Sequence, residues 1–461
     1  MRLKPRFIFL FIVFLSVATI VLSWNGNYEG GDIAGARRSF LGQNPIDLWG
    51  GFSGFFYGNI PNFLLPWGLW LLVLQITCSA SGLILISKHI LLRNTIQYIF
   101  FLVLSYLILS FAGYLTRDST MASFYIFGLG LICASNQFLK TSDKALFFLG
   151  TFFIILAVAF RPWLFFATLL PVIFYRRNKL EKLIFAIILI ILPFGIDKLM
   201  YVTTDYKKVY PELQVIISDV ASISCLSSNN TIRKNGTDLL NKFSKTLYSN
   251  GEICNDFRIN TWQSVGSWSL KPSEIGLAAS KDANSQYSKI LISSNMTVSN
   301  YTEIRNSWLS IIAKYPKDYL QVKLIHANQV IFSGDTFGLR ILNADAVKNY
   351  FSGLFYILFD IVISLHLLSP AMTFLIGFLI IIFKLRNKSV ETLFKTKEII
   401  LSFSFLFCWI LATSIAYIGD NGRYTYTSSF IFYILICLGI NKIETASTVK
   451  LIHKEIRGKN N

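Results

Sequence analysis

Residues 145–177, ALFFLGTFFIILAVAFRPWLFFATLLPVIFYRR, decide the fold class of this chain. Between Lys144 and Arg176 the only charged side chain is Arg161. Two apolar runs, 145–160 and 163–175, flank the triplet Arg161-Pro162-Trp163, and basic residues close both outer ends. Hydrocarbon cannot solvate charge, so such runs read as membrane-spanning helices joined by a tight turn.

The same pattern recurs on both sides of this stretch. An apolar run at 7–23 follows Arg2, Lys4 and Arg6, and others lie at 66–87, 94–113, 121–138, 183–199, 399–417 and 428–440. The first resembles a signal peptide, but Ser23-Trp24-Asn25 is a poor cleavage site, so it reads as a retained helix. The region 351–383, broken at Ser369-Pro370, reads as one crossing plus an interfacial or re-entrant piece. The expectation is an all-α polytopic transmembrane protein of about 10–11 spans. The pattern argues against a barrel, whose strands would alternate rather than run solidly apolar.

Composition agrees. The 461 residues are 53% hydrophobic and 15% charged, with a mean hydropathy of +0.53. Soluble domains carry about a quarter charged residues. The net charge of +18 does not indicate nucleic acid, since it falls in short loops rather than in a basic stripe interleaved with aromatics. Lys88 and Arg93, then Lys140 and Lys144, then Arg176, Arg177, Lys179 and Lys182 mark one side. Arg117 and Arg161 stand alone at the short turns of the other. By the positive-inside bias, the N-terminus is cytoplasmic, while 25–61 and 201–350 face outward. The chain divides into an N-terminal membrane module, 1–200, with its external loop, and a polar external segment, 201–350. C-terminal spans, 351–441, and a basic cytoplasmic tail, 442–461, follow. The expected location is a bacterial cytoplasmic membrane.

Cys78, Cys133, Cys408 and Cys437 lie in apolar runs as small hydrophobes, whereas Cys225 and Cys254 lie in the external segment and are a candidate disulfide. No His/Cys spacing suggests zinc, and no G-x-x-x-x-G-K-S/T loop is present. Trp262, Trp268 and Trp308 suit either a small core in the external segment or a sugar site, core packing being the commoner use.

The topology sorts the unusual polar residues onto the external face. Glu29, Asp32, Arg37 and Arg38 fall in the first external loop, Arg117 and Asp118 in the second, Arg161 in the third and Arg423 in the last. Each singly suits an interfacial anchor. Asp118 also suits a helix cap. Together they suit an external pocket in which acids activate a hydroxyl and arginines hold a phosphate. In Tyr28-Glu29-Gly30-Gly31-Asp32 the glycines ease the turns that present Asp32. Gly419-Asp420-Asn421-Gly422-Arg423-Tyr424 opens the final span, and its arginine can grip phosphate bidentately.

An acid in the first external loop, a second acid in the next and an Arg-Tyr pair before the last span resemble the GT-C class of polytopic glycosyltransferases. Lys314-Tyr315-Pro316-Lys317-Asp318-Tyr319 is similar to the Pro-x-x-Tyr element of many bacterial members. The long external insertion is similar in style to bacterial and phage glucosyltransferases that decorate O-antigen. The resemblance implies a polyprenyl-phosphate sugar as donor and a glycan, lipid-linked oligosaccharide or protein as acceptor. An upstream donor synthase and a flippase would serve as partners. It implies Asp32 as general base, Asp118 positioning the acceptor or joining a metal site, and Arg161, Arg423 and Tyr424 at the donor phosphate. Glu29, Arg37, Lys314 and Tyr319 would be accessory. Where better-known members carry paired acids, two glycines separate Glu29 from Asp32, so a divalent cation is an open element of this expectation. Two other readings stand as alternatives, the transporter against a layout whose spans are nearly free of charge. An O-antigen polymerase or ligase would rely on external arginines, and a transporter would show repeats and mid-span charges.

Overall fold

The computed structural model describes residues 5–23, 31–42, 50–62, 64–89, 95–113, 115–135, 141–175, 178–202, 229–243, 298–332, 369–385, 397–416 and 426–439, together with 216, 219, 220 and 223. Every regular element among them is helical. In chain order these are α1 (Pro5–Ser23), α2 (Gly31–Phe40), α3 (Gly51–Gly58), α4 (Trp67–Ser87), α5 (Thr95–Ala112), α6 (Arg117–Ala134) and α7 (Thr141–Ala159). A 3-10 segment (Pro162–Leu169), α8 (Leu170–Phe174) and α9 (Lys179–Val202) follow. Beyond them lie helices Asn230–Phe243, Val298–Lys314, Pro316–Phe332, Pro370–Leu385, Lys397–Ala416 and Tyr426–Gly439.

Three helices, α4, α7 and α9, are long and apolar enough to cross a membrane. Shorter apolar helices occupy Arg6–Val21, Gln97–Ala112, Pro162–Phe174, Pro370–Ile382, Ile399–Ser414 and Tyr426–Gly439. Of the disputed region 351–383, the structure describes one helix starting at Pro370, where a missing amide hydrogen costs nothing at a helix start.

Small residues set the centre of the bundle. A Cβ on Gly82 of α4 would stand 2.5 Å from the Ile126 carbonyl oxygen of α6, and one on Gly128 would stand 2.6 Å from the Gly150 oxygen of α7. The backbones of α4, α6 and α7 therefore touch, an approach that only glycine permits and that apolar helices use to gain packing.

Helix starts follow their sequences. At α6, Thr116 and Ser119 form a reciprocal capping box. At α9, Asn178 Oδ1 accepts from the Glu181 amide at 2.8 Å, while its side-chain nitrogen donates to Glu181 Oε1 at 2.7 Å.

Where one α-helical span is expected over 163–175, residues 162–174 form eight residues of 3-10 helix followed by five of α-helix. Pro162 and Pro171 explain part of this, since each lacks an amide hydrogen. The 3-10 form also rises ~2.0 Å per residue against ~1.5 Å, so a short run reaches further. Its carbonyls find partners on neighbours, as Tyr125 Oη donates to the Ala167 oxygen at 2.6 Å. Conversely, Pro193 inside α9 cannot donate to the Leu189 oxygen four residues back. The Thr168 hydroxyl lies 2.8 Å from that oxygen and 2.6 Å from the Phe165 oxygen, so its one proton is shared between the two and replaces the missing donor in part.

The expected polar loop 25–61 holds two helices. α3 reads Gly51-Phe-Ser-Gly-Phe-Phe-Tyr-Gly58, and its rings enter the bundle: Phe52 and Phe56 lie 4.9 and 5.2 Å from Phe160, and Phe56 lies 5.6 Å from Phe124. Burying those rings, rather than any intrinsic helix propensity of a glycine-rich octamer, holds α3 in place.

Away from this bundle, Ile223, Ile232 and Ile311 form a small separate core with Leu239, Tyr315 and Tyr319 against it. The Pro316–Phe332 helix also packs on Lys397–Ala416 and Pro370–Leu385.

Candidate functional site

The first turn of α6 organises one end of the bundle. Consecutive helical residues diverge by about 100°, so neighbours in sequence reach different partners. Asp118 turns to Arg161, which follows α7. Arg161 Nε donates to Oδ1 and its Nη2 to Oδ2, both at 3.0 Å. The side chains are 1% and 11% exposed, so this is a buried, two-pronged ion pair. Arg117 sits close enough for its charge to act on Asp197, in the last turns of α9.

Asp197 in turn holds the start of α3. Its Oδ1 accepts from the Phe52 amide at 2.9 Å, and the Gly51 amide also donates to this carboxylate. It thus does for α3 what a capping side chain does from within a helix. Gly51 lets the two backbones meet, since a Cβ there would stand 2.4 Å from the Asp197 carbonyl oxygen. Gly50 stands just before, with φ of +87°, a conformation that side-chain-bearing residues resist.

A hydroxyl network lies inward of the ion pairs. Thr120 Oγ1 donates to the Thr116 oxygen at 2.9 Å and accepts from Tyr57 Oη at 3.1 Å and from Gln75 Nε2. Tyr57, Gln75 and Thr120 are each fully buried, which ties α3, α4 and α6 together by polar contacts in an apolar setting.

These contacts bring together two of the residues singled out from sequence, Asp118 and Arg161, as partners of each other. Arg37 has a structural position: one terminal nitrogen donates to the Tyr57 and Ile60 oxygens at 2.6 and 3.0 Å, closing the end of α3. Its guanidinium also lies 5.0 Å from the Trp67 ring. Asp32 lies in the first turn of α2, which packs along α3. Glu29, Arg423, Tyr424, Cys225 and Cys254 lie outside the described residues.

Tyr319 and Lys314 belong elsewhere, in the small separate core and on its surface. Tyr319 Oη donates to Asp219 Oδ2 at 3.2 Å, and Lys323 Nζ meets Asp219 Oδ1 at 2.6 Å. Burial pushes the Asp219 carboxyl above its ordinary range, against the opposing pull of Lys323. Burial and the adjacent Asp219 charge push the Tyr319 phenol up as well. Trp308 packs edge-on to Tyr319 at 6.5 Å. The exposed Lys314 lies over Tyr315, with 5.4 Å between its nitrogen and the ring centroid.

Asp197 escaped the sequence reading because it sits inside an apolar run, four residues before a tyrosine-rich polar stretch. The signal was present, as Ile196-Asp197-Lys198 interrupts 183–199 with adjacent charges. No group of three or more His, Cys, Asp or Glu side chains capable of holding a metal occurs among the described residues. Comparison with known protein families, curated proteins and solved structures found no match.

Proposed function

We propose that this chain is a membrane glycosyltransferase of GT-C architecture with about 10–11 spans. It transfers a sugar from a polyprenyl-phosphate donor to a hydroxyl of an envelope glycan or lipid-linked acceptor. In this reading the end of the bundle where α6 begins faces away from the cytoplasm, following the basic residues that flank the opposite ends of the spans. The observation that supports it is the gathering of Arg117, Asp118, Arg161 and Asp197 beside α3, at one end of an otherwise apolar bundle. Ionisable groups are costly in such helices and are retained where chemistry or a charged ligand needs them.

The acceptor hydroxyl attacks the anomeric carbon, and the bond from that carbon to the phosphate oxygen breaks, its electron pair leaving with polyprenyl phosphate. The hydroxyl proton passes to Asp32 as general base, a role worth about 10²–10⁴-fold in rate. Arg423, with Tyr424, and Arg161, its plane held by Asp118, meet the charge that develops on the leaving phosphate. A single displacement of this kind inverts the anomeric configuration.

Mass spectrometry of envelope glycans from a deletion strain, complemented with wild type or Asp32→Asn, tests the proposal. Loss of one hexose-sized increment, restored by wild type and not by the variant, is the expected result. Shortened chains with every side group intact would replace it with polymerase or ligase activity. An unchanged glycan profile would end the glycosyltransferase reading.

A further inference from the structure

Asp197 differs from the other acid at this end of the bundle. Asp118 is closed off by its two bonds to Arg161, whereas Asp197 is only partly buried and is bonded by backbone amides. The carboxylate faces the bare backbone of Gly50. The point that a Cβ on Gly50 would occupy lies 3.2 Å from Asp197 Oδ1 and 3.8 Å from Ser53 Oγ. Apart from chain neighbours, no other atom of the described residues comes within 4 Å of that point.

Ser53 supplies the second observation. Its side chain is 1% exposed, and its Oγ has no hydrogen-bond partner among the described residues. Buried hydroxyls are almost always bonded, so one left open beside an acceptor-only carboxylate calls for a partner that both accepts and donates. A carbohydrate hydroxyl is such a group. It can accept from Ser53 Oγ and donate to Asp197 Oδ1 at once.

We propose that Asp197 and Ser53, which flank the bare backbone of Gly50, seat a hydroxyl of the sugar acceptor. This inference rests on the glycosyltransferase reading and adds Asp197 and Ser53 to it as acceptor-binding residues. Arg117 and the amides of α3 hold the carboxylate in place, and Asp32 keeps the proton-accepting role.

The test is complementation of the deletion strain with wild type, Ser53→Ala and Asp197→Asn, reading the yield of the added sugar by mass spectrometry. The unfolding temperature of each purified protein is measured alongside. Asp197→Asn keeps a carbonyl oxygen for the Phe52 amide, and Ser53→Ala deletes a hydroxyl that bonds nothing described in the fold. Both are expected to lower the yield by about 10–100-fold, the usual weight of hydrogen bonds to a charged or aligned group. Ser53→Ala should unfold at or above the wild-type temperature. Full yield from both variants, with wild type restoring the glycan, would overturn the hydroxyl seat and leave the glycosyltransferase reading standing. A lowered unfolding temperature for Ser53→Ala would overturn it too, because the hydroxyl would then be structural. No glycan change in the deletion strain would remove both.

Discussion

Asp118 and Arg161 meet as a fork, with Nε to Oδ1 and Nη2 to Oδ2 both at 3.0 Å, and so join the start of α6 to the end of α7. Forty-three residues separate them in sequence. Because Asp118 is only 1% exposed, removing its partner strands a buried charge. Arg161→Ala is expected to destabilise the protein by about 3–5 kcal/mol, the usual penalty for breaking a buried pair from one side. Arg161→Lys should recover only part of this, since an ammonium cannot make the two parallel bonds. Thermal unfolding of the detergent-purified variants measures both. Equal stability of Arg161→Ala and wild type would refute the account.

Arg37 closes the end of α3. Arg37→Met keeps an apolar stem against Trp67 but leaves the Tyr57 and Ile60 oxygens without their donor. The expected cost is about 1–3 kcal/mol. Limited proteolysis should show earlier cutting between α2 and α4 in the variant than in wild type.

Thr168 repairs part of the gap that Pro193 leaves in α9, its one proton being shared between the Leu189 and Phe165 oxygens. Thr168→Val preserves shape and removes the hydroxyl that approaches the Leu189 oxygen. A loss of about 1–3 kcal/mol is expected from the carbonyl left unbonded in an apolar setting. In the double variant Thr168→Val with Pro193→Ala, the restored amide should return most of that stability. A double-mutant cycle on unfolding temperature is the check, and strict additivity would argue against the repair.

Gly82 and Gly128 set the spacing of α4, α6 and α7. Alanine at either position would place a Cβ 2.5 or 2.6 Å from a facing carbonyl oxygen, which belongs to rigid backbone. Overpacking of this kind typically costs about 1–3 kcal/mol and more where backbone must move. The expected outcome is a lower yield of monodisperse protein on size-exclusion chromatography, with Gly195→Ala, which meets nothing within 4 Å, as the control.

Asp219 gives the small separate core a defined response to pH. Burial raises its carboxyl above the ordinary 3.8, so the folded state holds the proton more tightly than the unfolded state. That contribution to stability is fully present below about pH 3.8 and is lost as pH rises through the folded value. Resistance of the Val298–Phe332 helices to pepsin-like proteases should therefore be greater at the acid end of this window than just above it. Asp219→Asn, which cannot titrate, should flatten the profile, and an unchanged slope would exclude Asp219 as its source.

Much of the bundle was legible in sequence because hydrocarbon burial acts residue by residue. A run without charge, 66–87, and one charged only at its end, 183–199, emerge as α4 and α9 within a few residues. The misreadings have a common cause. α3 passed for loop because its glycines hide an apolar octamer that is helical only when its rings pack on Phe124 and Phe160. The run 163–175 passed for an α-helix because hydropathy does not distinguish α from 3-10 backbone. The partners of Arg37 and Tyr319 were not legible either, since their polar ends meet a carbonyl pair and a carboxylate that begin 20 and 100 residues away.

Sequence by itself determined the helical class, the apolar runs and the side of the chain on which charge collects, because these follow from the solvation cost of each residue. Tertiary structure alone decided which charges meet. Arg117 and Asp118 are adjacent in sequence, yet helical rotation sends one toward Asp197 and the other to Arg161. Pairing energy depends on distance and burial between residues far apart in the chain, and neither is encoded in any local stretch.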